Sequence, residues 1–357
     1  MSRRLTVLVS FPPPTATSVN PYTILLAENV HRQGARVLYF HWTSALFDDY
    51  DVFHVHWPEN LVGGRTPLRR LVRQLLTLLI LARLTVTRRA LVRTVHNLDL
   101  PEGLSRWQLF VLRMIDRRTD FVIRLNGFTP VPASVPFATI PHPHFREWFA
   151  SFERAEPVQG QVGYVGRIRR YKGVETLIGA LGRVDAGHGS TSEAALSARV
   201  AGYPSSTALA DHLTDLASGN DRISLEFGFI SDATLVDIVT SSELVVLPYR
   251  AMHNSAAALT ALSLDRAVLV PDNPVTRALA IETGDGWVHT FRGELTHDDI
   301  VSAIAAVHAR DDSSTSPRFS GRSWSRTSRS HIDAYTRAAR IARYSRSRSG
   351  YSRSTAR

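Results

Sequence analysis

The sequence predicts an α/β fold in which two doubly wound parallel sheets follow one another along the chain. Three observations carry this. Short runs rich in Val, Ile, Leu and Phe alternate with segments of helical periodicity, the pattern of a parallel sheet covered by helices. The alternation stops at a proline-rich stretch and then restarts. The length, 357 residues, is enough for two such domains.

In the first half, residues 5–10 read as a strand and residues 20–33 as a helix ended by Gly34. Residues 36–40 and 52–57 are strands, and residues 68–84 have the length and apolar content of a helix. A strand (91–95), a helix (105–117) and a strand (121–125) follow. Residues 127–143 are proline-rich, read as loop, and lead to a boundary near Ala155-Glu156-Pro157. The second half begins with a strand (161–165) and a helix (174–181), then a Gly/Ser stretch (187–192). Strands at 195–202, 223–227, 244–247 and 267–270 alternate with helices at 206–218, 231–241 and 255–264. Ser231 is placed to cap its helix, and Pro248 ends the strand before it. The expected organisation is a first domain over 1–155, a second over 156–335, and a basic Ser/Arg-rich disordered tail over 336–357. Two such domains facing across a cleft would hold ligands at the carboxyl ends of their strands.

Hydrophobic residues make up 44% and charged residues 21%, an ordinary balance for a globular chain. The absence of cysteine excludes disulfides, thiolate catalysis and Cys-ligated metal, and fits a cytoplasmic location. The first residues, MSRRLTVLVSFPPP, read as a buried strand rather than a signal peptide. The net charge of +10 is concentrated in residues 65–93 and 337–357. Such a surface suits nucleic acid, anionic lipid or a phosphorylated substrate.

Lys172 is the only lysine among 42 Lys and Arg residues. It lies in Gly166-Arg167-Ile168-Arg169-Arg170-Tyr171-Lys172-Gly173, between a strand and a helix. A basic, glycine-bracketed turn at that junction is a phosphate site, where backbone N–H groups and the helix dipole meet an anion. Further on, Asn254 or Ser255 caps a helix that opens on Ala256, Ala257 and Ala258. Small side chains there leave its N-terminus open to an anion, or pack it tightly. Two cations and a bare helix N-terminus together suit a diphosphate.

With these residues in view, the chain resembles the GT-B glycosyltransferases, in the broad group that includes family 4. GRIRRYKGVETLIGAL is similar to their strand-turn-helix, which implies that Arg167 and Lys172 hold the donor diphosphate. The segment after Val246 resembles their other donor motif, in which two glutamates stand eight positions apart. Met252 and Thr260 occupy those positions, so both carboxylates are missing. By the same resemblance, Phe229 and Ile230 follow a strand where the nucleotide base stacks. It implies two Rossmann-like domains, the first for the acceptor and the second for a GDP- or UDP-sugar, with no other cofactor. Asn20-Pro21-Tyr22, His-x-His-Trp-Pro-Glu and His-Asn-Leu are similar to bacterial mannosyltransferases of polysaccharide or glycolipid assembly. That implies GDP-mannose as donor and a glycan or lipid-linked saccharide as acceptor.

His54 and His56 share one face of a strand, and His96 heads a polar loop holding Asp99 and Glu102. His54 reads as a structural histidine. His96, Asp99 and Glu59 are the candidates for the catalytic base. The His-x-His pairs supply no third metal ligand at a telling spacing, and no metal site is assigned. Asp49-Tyr50-Asp51 has a metal-binding spacing but reads better as polar residues closing a loop; two strand-turn-helix domains with a diphosphate turn argue for a metal-independent mechanism. Residues 65–93 place arginines around an apolar core too short to span a bilayer. They suit an interfacial helix on anionic lipid at the inner face of the plasma membrane, or a helix covering the sheet with arginines at its ends. Two alternatives stand beside the enzyme: a catalytically inactive scaffold that keeps the phosphate turn, and a basic nucleic-acid-binding protein. The latter lacks a recognition fold or aromatic platform.

Overall fold

A computed structural model describes residues 4–14, 20–101, 103–182, 196–310 and 316–344. The chain divides into two compact units, Met1–Pro143 with Gly321–Arg357, and His144–Ser320.

Unit 1 runs β1 (Thr6–Val9), α1 (Pro21–Arg32), β2 (Arg36–Leu38), α2 (Trp42–Phe47), β3 (Val52–Val55), α3 (Glu59–Val62), α4 (Pro67–Val86), β4 (Ala90–Val95), α5 (Arg106–Arg118), β5 (Phe121–Arg124) and β6 (Phe137–Thr139). Its six strands are parallel in the order β2-β1-β3-β4-β5-β6. β1 and β3 are buried along their whole length, as expected of parallel strands covered on both faces. The first strand after each chain reversal lies beside β1, so the topological switch point falls between β1 and β3. On one face, Phe53, Val55 and Leu91 pack with Ile80, Leu81 and Leu84 of α4 and with Val111, Leu112 and Ile115 of α5. Helix starts follow capping rules: Asn20 accepts from Tyr22 N ahead of Pro21, and Ser105 and Gln108 form a capping box.

Unit 2 runs α6 (Arg146–Phe149), β7 (Val158–Val165), α7 (Val174–Gly182), β8 (Ser197–Gly202), α8 (Thr207–Ala217), β9 (Ile223–Phe227), α9 (Asp232–Ser241), β10 (Ser242–Val246), α10 (Ala256–Ser263), β11 (Ala267–Pro271), α11 (Pro274–Thr283), β12 (Val288–Phe291) and α12 (His297–His308). The six strands are again parallel, in the order β12-β11-β10-β7-β8-β9. Here the switch point lies between β7 and β10.

Two boundaries differ from the sequence expectation. Unit 2 begins at His144, not near residue 155, because the intervening residues are tied into it: Phe145 N donates to Ser263 Oγ (2.9 Å) and Trp148 Nε1 to Asp232 Oδ2 (2.9 Å). The chain then returns to unit 1 through α13 (Trp324–Tyr344), which includes residues assigned to the second domain and the start of the expected tail. Trp324, His331, Tyr335, Ala338 and Ala342 form its buried stripe at helical spacing. That stripe is hidden in a composition dominated by Ser and Arg. α13 packs on α1 and on β3, β4 and β5, and Arg343 pairs with Asp51 at 2.8 Å. The tail from 345 to 357, the Gly/Ser stretch at 187–192 and Glu102 lie outside the described residues. The proline-rich stretch contributes one short strand, β6.

Candidate active site

In unit 2 the loops after β7 and β10 meet at the switch point. Lys172 Nζ donates to Tyr249 Oη at 3.1 Å and lies 4.8 Å from the centre of the same ring. Tyr249 also hydrogen-bonds with Ser255 and Tyr164, and Tyr164 Oη donates to the Arg167 carbonyl at 3.1 Å. A hydroxyl network thus joins the lysine turn to the cap of α10. Ser255 Oγ accepts from Ala258 N at 3.2 Å, as the capping reading expects. Burial, with repulsion from Arg169 and Arg167, pulls the Lys172 ammonium down to about 8. Burial likewise pushes the Tyr249 hydroxyl well above the phenolic range, so it stays protonated.

Glycine is required where the turn approaches its neighbours. Gly173 has φ +63°, and a Cβ there would stand 2.1 Å from the Pro248 carbonyl oxygen. Gly202, at the end of β8, has φ +154°, and a Cβ there would stand 1.7 Å from the Gly166 carbonyl oxygen. Lys172 Nζ would lie 3.8 Å from a Cβ built on Gly166, so the ammonium hangs over that bare turn. Arg167 is exposed beside it, and Asn254 is half-buried just before the cap. Phe229 is 71% exposed after β9, with Ile230 half-buried next to it. Thr260 lies one turn into α10 and uses its carbonyl in the helix ladder; Met252 is buried.

In unit 1 the carboxyl ends of β1, β3 and β4 bring together Ser10, His56 and His96. His56 N donates to Ser10 Oγ at 3.0 Å, and His56 Nδ1 lies 3.1 Å from His96 Nε2. His96 stacks on Trp57, with ring centroids 4.6 Å apart. A pocket at this point is lined by His56, Trp57, Glu59, His96, Asn97 and Asp99 among others. All three candidates for the base, His96, Asp99 and Glu59, line it. His54 is elsewhere engaged: Nε2 meets Thr94 Oγ1 and Nδ1 meets Tyr335 Oη, both at 2.8 Å. Its role is to lock α13 onto the sheet. Asp49 and Asp51 are likewise structural, holding Arg89, and Arg343 with Thr6 N, respectively.

Five histidines of unit 1 group with Tyr22: His54, His56, His142 and His331 are buried, and His96 is half-buried at the pocket. Burial lowers all five, His96 to about 3 and His142 and His331 to about 4. The rings are therefore neutral at neutral pH. Sequence reading missed His331, Tyr335 and Tyr249. The last carried a signal, since it directly follows the proline that ends a strand.

No family model matches the chain. A curated relative, the GDP-mannose:glycolipid 4-beta-D-mannosyltransferase of Xanthomonas campestris pv. campestris, is 35% identical over 336 residues, covering 94% of this chain and 93% of its own. The chain belongs to that glycosyltransferase family. Among solved structures, sucrose-phosphate synthase from Thermosynechococcus elongatus matches with a TM-score of 0.59 at 14% identity, covering 95% of this chain and 96% of that one. The trehalose-phosphate synthase of Burkholderia xenovorans matches with a TM-score of 0.59 at 10% identity, covering 93% and 100%. These likenesses concern the fold, which is GT-B: two doubly wound parallel sheets. In this glycosyltransferase Met252 is buried and Thr260 lies within α10. A lysine–tyrosine–serine network lies beside them.

Proposed function

We propose that the chain transfers mannose from GDP-mannose to the sugar of a glycolipid, inverting the anomeric centre. The observation that carries this is the ammonium of Lys172, fixed at the switch point of unit 2 in a chain so similar to a GDP-mannose:glycolipid 4-beta-D-mannosyltransferase. In this reading unit 2 takes the donor. Lys172, Arg167 and the first-turn N–H groups of α10 meet the diphosphate, and Gly166 lets it approach the backbone. Asn254 and Ser255 shape that helix start. Phe229 and Ile230 support the base, and Thr260 faces the donor in place of a carboxylate. Negative charge grows on the leaving diphosphate as the glycosidic bond breaks, and a prepositioned cation stabilises it without reorganising.

Unit 1 takes the acceptor. GDP-mannose carries its sugar in α linkage, so a β product needs one displacement with inversion and a base to remove the acceptor proton. His96 is too weakly basic for that task at a value of about 3, and we assign it to hydrogen-bonding and orienting the acceptor. Glu59 has the Arg93 guanidinium as a counter-charge, and the base is assigned to Asp99, exposed on the loop after β4. The donor and the cysteine-free composition suit the cytoplasmic side of a membrane. Among the described residues, no helix is long and apolar enough to cross one.

The test is calorimetric titration of GDP, UDP and GDP-mannose into wild type and Lys172→Ala, followed by NMR of the product's anomeric signal. Binding of GDP-mannose that the variant loses, and a β product, are expected. Preference for UDP, or an α product, would overturn the reading. Binding without turnover on any glycolipid acceptor would favour the inactive scaffold, which the loss of both carboxylates at Met252 and Thr260 keeps in view.

A further inference from the structure

α4 does more than cover the sheet. Its inner side buries Gln74, Thr77, Ile80, Leu81 and Leu84, as a surface helix should. Its outer side is apolar as well. Leu68, Leu71, Leu75, Leu79 and Val86, spaced three, four or seven apart, are between 46% and 81% exposed. The neighbouring α5 adds Trp107 and Phe110, both exposed and stacked on each other at 5.0 Å. The two helices run side by side in the same direction. Gln74 and Gln108 both donate to the Val62 carbonyl at one end, and Arg118 bonds Leu84 O and Thr85 Oγ1 at the other. A plateau of this kind on a soluble surface calls for a partner.

Charge says which one. Eight arginines and no Asp or Glu lie between Glu59 and Asp99. Arg65, Arg69 and Arg88 on α4 and its flanks are exposed, as are Arg106, Arg113 and Arg117 on α5. The rim is cationic around an apolar centre. A second copy docking by a two-fold axis would bring this cationic rim against itself, and the one carboxylate on the two helices, Asp116, is already paired with Arg93. Nucleic acid would match the rim but not the centre. A bilayer with anionic headgroups matches both: the apolar stripe lies in the acyl boundary and the arginines meet phosphates.

We infer that the outer face of α4 and α5 is the surface by which this chain lies on an anionic membrane. The inference rests on the glycolipid-acceptor reading only for its purpose, and it also gives that reading a geometry. α3 joins the two: Glu59 at its start lines the unit 1 pocket, and Val62 at its end holds α4 and α5. The helices that carry the docking face are thus tied to the pocket wall through the four residues of α3. Leu100 on the pocket lining is exposed as well, and leads towards Trp107 along the chain. A lipid-linked sugar can reach that pocket while its chain stays in the bilayer.

The experiment is co-sedimentation of the full chain with phosphatidylcholine vesicles and with vesicles that also carry phosphatidylglycerol, without donor or acceptor. The variants are Leu75→Glu with Leu79→Glu, and Trp107→Glu. Wild type should sediment with the anionic vesicles, more weakly at high salt, and each variant should partition about tenfold less or worse. GDP titration and thermal unfolding on the same samples show that the variants are folded with unit 2 intact. Vesicle binding needs no sugar transfer, so its outcome is independent of whether the mannosyltransferase reading holds. Wild type that ignores anionic vesicles, or variants that bind as well as wild type, would overturn the inference. So would a dimer that the variants abolish in the absence of vesicle binding, since that assigns the face to a second copy.

Discussion

Lowering the pH from 7 to 5 should unfold unit 1 before unit 2. His96, held at about 3, and His142 and His331, held at about 4, are depressed by burial; the unfolded chain titrates near 6.5. A group depressed in the folded state is protonated first in the unfolded chain. The stability it contributes is therefore complete above the unfolded value and is lost as pH falls towards the folded one. At pH 5 each of these three costs about 2 kcal/mol, from 1.5 units at 1.36 kcal/mol per unit. Together they remove about 6 kcal/mol, comparable to the whole stability of an average domain. His54 and His56 are lowered too and add in the same direction. The assay is urea unfolding at pH 7, 6 and 5, followed by fluorescence of single-tryptophan forms that keep Trp324 in unit 1 or Trp287 in unit 2. The Trp324 transition should move to much lower urea at pH 5 while the Trp287 transition moves little. A Trp324 midpoint unchanged between pH 7 and pH 5 would refute the claim that this cluster is buried and neutral.

Three further outcomes follow from the same geometry. Because Lys172 is lowered to about 8, a diphosphate that needs its proton should bind about tenfold more weakly at pH 9 than at neutral pH; titration of GDP checks this, and Lys172→Ala should flatten the dependence. Gly202→Ala places a methyl 1.7 Å from the Gly166 carbonyl in a backbone region closed to alanine, so roughly 3 kcal/mol or more of stability should be lost, along with GDP affinity, in denaturant titration and calorimetry. Tyr335→Phe leaves His54 Nδ1 without its hydroxyl partner in the core and should cost about 1–3 kcal/mol in the urea midpoint of unit 1, with GDP affinity unchanged.

Most of the fold was legible because parallel strands and their helices announce themselves by period. The strand of residues 223–227 and the capped helix after Ser231 stand where expected, and the Ser255 cap is made by the side chain that predicted it. The lysine turn was legible for a different reason: glycines with positive φ and a solitary lysine are local signals. What sequence could not give is the partner across the fold. Tyr335 meets His54 across 281 residues, and no local pattern reports such a contact. The stripe of α13 was concealed by its arginines and serines, whose long stems and small hydroxyls occupy the helix without breaking it. The exposed side of α4 was also ambiguous in sequence, because an apolar run is compatible with burial on every side; only packing on the sheet separates the inner stripe from the outer one.

The two units put chemistry in the same topological place and give it opposite electrostatic characters. In each sheet the chain reverses beside its first strand, between β1 and β3 or between β7 and β10. Loops leaving adjacent strands in opposite directions there make room for a ligand. In unit 2 that room holds cations that repel one another: Arg167 and Arg169 help to lower Lys172. An anion placed among these cations would relieve that repulsion, which suits a diphosphate. In unit 1 the corresponding room is walled by neutral imidazoles and aromatic rings, with carboxylates at the edge. Neutral rings stack on and hydrogen-bond to an uncharged sugar without demanding a counter-ion, and a carboxylate beside them can take a proton. An anionic ligand suits the first site and a neutral hydroxylic one the second. That division is what transfer from a nucleoside-diphosphate sugar to a saccharide requires, and it follows from side-chain charge and burial without reference to any single contact between donor and acceptor.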